Sequence, residues 1–80
     1  MNETKYIVTQ YNDIIVFTAV FNHSDFAGFN PKSAGFIGFF TNDEGNPDCY
    51  CYGDSFSLGL KSNPEMDDRI ARNQLGLNNY

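Results

Sequence analysis

The one histidine of this chain lies in the run His23-Ser24-Asp25, three residue types that together can move a proton and attack a carbonyl. Such a triad needs its members to converge in space, which three neighbours in one loop do not do, so the run reads as a capped turn. His23 is nevertheless the side chain whose unperturbed pKa falls near neutrality, and hence the candidate proton carrier or pH sensor. Cys49 and Cys51 form a CxC pair. With His23 and a carboxylate from Asp25, Asp48 or Asp54 they would make a zinc tetrahedron, but CxC is a less common structural spacing than CxxC. Two small thiols buried against a packed layer are the favoured reading. Asp43, Glu44 and Asp48 gather acids in one loop without the ligand order or closing Glu of an EF-hand, which leaves a solvated hairpin loop. No catalytic residue, metal or cofactor is assigned.

Asp54 is the sharper oddity. If Cys49–Leu60 is one strand, Tyr50, Tyr52, Asp54, Phe56, Leu58 and Leu60 share a face, while Cys49, Cys51, Gly53, Ser55, Ser57 and Gly59 make a uniformly small one. A carboxylate between Tyr52 and Phe56 is unfavourable unless paired or hydrogen-bonded. Either a bulge at Gly53-Asp54 turns it to solvent, or it marks a polar site ringed by tyrosines with Ser55 and Ser57 at the rim. The candidate binding residues are therefore Tyr50, Tyr52, Asp54, Phe56 and His23. The small face allows a helix, a second sheet or another subunit to lie close.

The elements that must carry these residues follow from hydrophobic period. Lys5–Tyr11 alternates as a strand and Asn12-Asp13 suits a tight turn. Ile14–Phe21 is apolar on both faces and is expected to be a central strand, covered on both sides. The segment 22–30 reads as a short helical turn carrying Phe26 and Phe29, stopped by Asn30-Pro31. Ala34–Thr41 is the third strand, its glycines at 35 and 38 marking a bulge or the close approach of another backbone. The loop 42–48 is expected at the surface, and Cys49–Leu60 forms the fourth strand. Ser62-Asn63-Pro64-Glu65 fits a capping box, with Asp67 and Asp68 at the positive end of the dipole and Arg69 and Arg72 further on. Met66, Ile70 and Leu75 form a narrow apolar stripe, Gly76 is a stop, and Leu77 can fold back beyond it. The order predicts an α+β fold: a small antiparallel four-stranded sheet, β-β-turn-β-β-α, with one C-terminal helix. Residues 1–80 form a single domain, with 1–4 and 78–80 as flexible ends.

Eighty residues hide only about two-thirds of their unfolded surface, so the core is thin. Eight Phe and five Tyr are many for that core, and aromatic surface should be left for a partner, foremost a second copy of the chain. A net charge of −5 with five Lys and Arg disfavours a grip on nucleic acid and suits a partner protein with a basic surface. Acids concentrate at 43–48 and 65–68. No apolar run has the length of a signal peptide core or a membrane span. Free thiols suggest a reducing compartment, so the expected location is cytoplasmic.

The succession SAGF at 33–36, then CYGDSFSLGLKS at 51–62 leading into an acid-started helix, resembles short uncharacterised proteins of bacterial and phage genomes. The resemblance covers Lys5 to about Leu75 and implies an accessory protein of a phage or mobile element; it brings no activity with it. The expected function is a non-enzymatic protein-binding or regulatory module that acts as a homodimer. The alternatives are an acidic inhibitor of a nucleic-acid-acting protein, and a small ligand-binding or enzymatic domain centred on Asp54 and His23.

Overall fold

The computed structural model of the chain describes residues 4–77. The segments 1–3 and 78–80, expected as flexible ends, lie outside the described residues, whereas Thr4 already belongs to a strand. Strands β1 (Thr4–Thr9) and β2 (Ile14–Thr18) form an antiparallel hairpin. Asn12 takes the left-handed conformation at its turn, φ 64°, a region asparagine tolerates. Thr9 Oγ1 accepts the Tyr11 and Asp13 N–H groups, each at 3.2 Å, and holds the turn closed. A 3₁₀ helix (His23–Phe29) leads into β3 (Pro31–Thr41), which pairs with β1 and, through a second hairpin, with β4 (Pro47–Tyr52). The sheet order is β2-β1-β3-β4, antiparallel throughout, and helix α1 (Pro64–Gln74) completes the α+β fold.

Several expectations need correction. The apolar run from Ile14 is not a central strand: β2 is an edge strand that ends at Thr18. Its two-sided apolarity reports layers rather than position. Ile14 and Val16 pack under the helix on one face, Ile15 and Phe17 on the other. The fourth strand stops at Tyr52, because Gly53 adopts φ 78° and breaks the pleat. Beyond it, β5 (Asp54–Ser55) and β6 (Leu60–Lys61) make a small separate hairpin. The small face therefore runs through Cys49 and Cys51 but not as far as Ser57, which is exposed; Ser55 is buried within the hairpin. Finally, the loop expected to run through Asp48 ends sooner, since Pro47 and Asp48 are already paired with β3 and Asp48 is buried.

The sheet is the middle layer of the molecule. On one face Tyr6, Val8, Ile37, Cys49 and Cys51 lie with Ala71, Ile70 and Leu77. On the other Ile7, Phe17 and Ala34 pack with Phe26 of the 3₁₀ helix and with Leu58 and Leu60 of the small hairpin. The residues of α1 that face the sheet are Asp67, Ile70 and Ala71; Met66 and Leu75, expected in the apolar stripe, stay nearly half exposed. The expected capping box is also replaced. Asn63 is the N-cap, Pro64 opens the helix, and the Asn63 N–H is accepted by Asp67 Oδ2 at 2.9 Å. At the far end Gly76 takes φ 71° and the Leu77 N–H reaches Arg72 O at 2.9 Å, returning Leu77 to the core as expected.

Candidate functional site

Pairing between β3 and β4 sets Phe36 opposite Tyr52, Gly38 opposite Tyr50 and Phe40 opposite Asp48. Alternation puts Phe36, Phe40, Tyr50 and Tyr52 on the face opposite α1. Their rings make a ladder: Phe36 to Tyr52 at 5.7 Å, Tyr52 to Tyr50 at 5.5 Å, and Tyr50 to Phe40 at 5.9 Å between centroids. The missing side chain at Gly38 makes this possible. A β-carbon there would lie 2.3–2.5 Å from the Tyr50 ring and hydroxyl, so the ring leans across the glycine onto β3. Tyr50, Tyr52 and Phe40 are 49, 42 and 44 % exposed, a row of half-open rings with no described element packed over it.

At its inner end the ladder runs into the core. Phe36 meets His23 edge-to-face at 5.9 Å, and His23 meets Phe17 in the same way at 5.6 Å. Phe17 in turn stacks on Phe26 at 4.1 Å. His23 is buried, and its Nε2–H donates to the Gly35 carbonyl at 2.9 Å. The Asn22 N–H donates to Asp25 Oδ2 at 2.9 Å, so His23-Ser24-Asp25 is the capped turn that opens the 3₁₀ helix. The histidine acts here as a packed ring, with its Nε2 proton committed to the backbone.

Of the five candidate residues the structure brings together Tyr50 and Tyr52, with His23 behind them. Asp54 is exposed on the β5–β6 hairpin opposite Lys61, and Phe56 stands fully exposed at the hairpin tip. No hydrogen bond or ion pair joins Asp54 to His23. A tyrosine-ringed polar pocket around Asp54 is thus not formed; Asp54 faces solvent, but through the end of β4 at Gly53 and the start of a separate hairpin rather than through a bulge within one strand. Phe36 and Phe40 are the ladder residues that sequence reasoning missed. The signal for them was Gly38, whose position opposite Tyr50 becomes visible only once the hairpin register is known. No family model, curated protein or solved structure matches this chain.

The face under α1 holds the polar chemistry. Asp67 is 1 % exposed, and its carboxylate accepts from the Tyr6 hydroxyl at 2.5 Å, the Ser33 hydroxyl at 3.0 Å and the Asn63 N–H. Burial, then the neighbouring Asp67 carboxylate, pushes the Tyr6 phenol far above its ordinary range, so the tyrosine is a fixed donor. Asp68 Oδ1 accepts the outward-facing Cys51 N–H at 2.6 Å, and Asp48 Oδ1 accepts the Cys49 N–H at 2.8 Å. Arg72 Nε bonds that same Asp48 oxygen at 2.7 Å. Its guanidinium, followed by the Cys49 N–H, holds the Asp48 carboxyl below the usual range. The outward N–H groups of Cys49 and Cys51 on the free edge of β4 are thereby closed by carboxylates. Asp48, expected in a solvated loop, and Asp67 and Asp68, expected at the positive end of the helix dipole, are committed to internal bonds.

Both cysteines are buried free thiols. Burial, with the nearby Asp68 carboxylate adding to it, pushes Cys49 up to about 11 and Cys51 higher still. Among the described residues no group of three or more His, Cys, Asp or Glu is arranged to hold a metal ion. An open cleft of about 450 Å³ lies between α1 and the β1–β2 turn, lined by Asn12, Arg69, Ile70, Gln74 and Leu77 among others, and it shares no residue with the ladder. Among the described residues no helix is long and apolar enough to cross a membrane.

Proposed function

We propose that this chain is a non-enzymatic binding module that presents the Phe36–Tyr52–Tyr50–Phe40 ladder to an apolar segment of a partner protein. The observation that carries this reading is the ladder itself: adjoining half-exposed rings, seated on a glycine, on an otherwise well-packed small sheet. Large rings with polar tips are the side chains that dominate protein contacts, since they bury much area for few rotatable bonds. A binding role is also supported by where the titratable side chains are. His23, Asp67 and the two thiols are buried and bonded or packed, away from the open surface. The net charge of −5 opposes a phosphate backbone on the ladder and does not oppose an apolar or basic peptide. A cytoplasmic setting, supported by the free thiols, and an accessory role in a phage or mobile element belong to the same proposal.

The test compares the wild-type chain with a Tyr50→Ala/Tyr52→Ala double variant and a Met66→Ser control at an exposed position of α1, each immobilised and challenged with host lysate. Matched thermal unfolding establishes that all three are folded. A partner retained by the wild type and the control but lost with the double variant is the expected result. A set of captured proteins unchanged by removal of both tyrosines contradicts the ladder as the binding surface.

A further inference from the structure

The two free edges of the sheet are treated oppositely. On β4 the outward N–H groups of Cys49 and Cys51 are closed by carboxylates and the strand lies beside α1. On β2, hydrogen-bonded and non-bonded pairs alternate from the Thr9–Asp13 pair at the turn, so Ile14, Val16 and Thr18 turn their backbone groups away from β1. Two of these groups have internal partners: the Ile14 N–H donates to Gln74 Oε1 at 2.9 Å, and the Thr18 carbonyl accepts from the Phe21 N–H at 3.1 Å. Among the described residues none bonds the Val16 N–H, the Val16 carbonyl, the Thr18 N–H or the Ile14 carbonyl. The strand, Ile-Ile-Val-Phe-Thr, carries no charge, proline or bulge, the devices by which exposed edges are ordinarily protected.

We propose that β2 is the dimerisation edge of this protein, and that its occupant is β2 of a second copy, antiparallel about a two-fold axis at Val16. The pattern of open and closed groups fits that partner. With Val16 opposite the partner's Val16, each Val16 N–H meets the other Val16 carbonyl. Ile14 then falls opposite the partner's Thr18, where the Thr18 N–H meets the Ile14 carbonyl. The two groups that a longer ladder would have used, Ile14 N–H and Thr18 C=O, are the ones already satisfied within each chain. Ile15 falls opposite the partner's Phe17, an apolar cross-strand pair. The same two-fold sets the Tyr11 end of each strand beside the Val20–Phe21 end of the other. Those residues are 87, 83 and 48 % exposed, and no like charges oppose one another across the strands. Because the outward N–H groups of β4 are already bonded to carboxylates within each chain, addition stops at two copies and the assembly closes instead of growing into a fibre. This goes beyond the ladder reading and does not depend on it.

Sedimentation and light scattering over about a hundred-fold range of concentration read the assembly directly. The expected mass at the upper end is twice the 9.0 kDa of the chain. Thr18→Lys sets a charge on the edge and should raise the dissociation constant at least about tenfold, while Tyr52→Ala leaves it unchanged. Amide exchange on the wild-type chain gives a second readout that needs no variant: the Val16 and Thr18 N–H groups should be protected in proportion to dimer. A mass of 9.0 kDa at every concentration overturns the proposal. So does a dimer broken by Tyr52→Ala but not by Thr18→Lys, or rapid concentration-independent exchange at Val16 and Thr18.

Discussion

Asp67 occupies a position where a carboxylate is costly unless every oxygen is bonded, and here the bonds come from three parts of the chain: Tyr6 in β1, Ser33 in β3 and Asn63 ahead of α1. It docks the helix with a defined register that a narrow apolar stripe alone would leave loose. Tyr6→Phe should lower the unfolding free energy by about 1–3 kcal/mol in urea titrations, the usual result of losing one buried charge-assisted bond. Asp67→Ala, which orphans all three donors, should cost more than Tyr6→Phe; a smaller loss would show that the network is incidental. The thiols make a prediction at the same scale. An unfolded cysteine ionises near about 8.5, whereas folded Cys49 ionises at about 11 because it is buried. Folding therefore retains the proton. Stability should be flat below that unfolded value, then decline as pH rises from it toward about 11. Denaturant midpoints at pH 7, 9 and 10 test this, with a Cys49→Ser chain as the reference.

The elements divide into those whose sequence carried their own boundaries and those set by contact with the rest of the molecule. The β1–β2 hairpin, the 3₁₀ turn at 23–29 and the end of α1 were legible because Asn12-Asp13, Asn30-Pro31 and Gly76-Leu77 act locally. The edge position of β2 was not, since burial by layers above and below writes the same apolar run as burial between strands. The break at Gly53 reads in the sequence as a bulge, and Asp67 as an ordinary first-turn acid. Nothing within its own helix distinguishes it from Asp68; its partners lie at Tyr6 and Ser33. Glycines show the same division. Gly35→Ala would bring its β-carbon to 2.5 Å from the Tyr52 carbonyl oxygen, a backbone atom, whereas at Gly38 the obstacle is the movable Tyr50 ring. Gly35→Ala should therefore destabilise by about 1–3 kcal/mol or more, the range for overpacked sites. Gly38→Ala should cost less in urea yet displace the Tyr50 ring, seen as loss of nuclear Overhauser contacts between Tyr50 and β3. Equal stability losses for the two variants would refute this reading of the ladder.

At the scale of the whole molecule, one sheet separates an aromatic face from a polar-locked helical face, and its two edges have opposite characters. The Arg72–Asp48 pair ties α1 to the β4 edge. Because the folded Asp48 carboxyl sits below its ordinary range, its contribution is fully present above the unfolded value and disappears as pH falls through the folded one. Arg72→Ala should accordingly move the acid-unfolding midpoint to higher pH while leaving the response above neutrality unchanged, as circular dichroism over a pH series would record. The candidate site was half legible: Tyr50 and Tyr52 stood out by alternation, but their neighbours on β3 needed the pairing register. The hydroxyl of Tyr6 and the carboxylate of Asp67 are 61 residues apart along the chain. While the protein is being synthesised, the surface formed by Tyr6, Val8, Ile37 and Cys49 has no cover until α1 has left the ribosome. At translation speeds of about 5–20 residues per second, the roughly 25 residues from Cys49 to the end of α1 take about 1–5 seconds for each new molecule, an interval in which the uncovered apolar surface invites a chaperone.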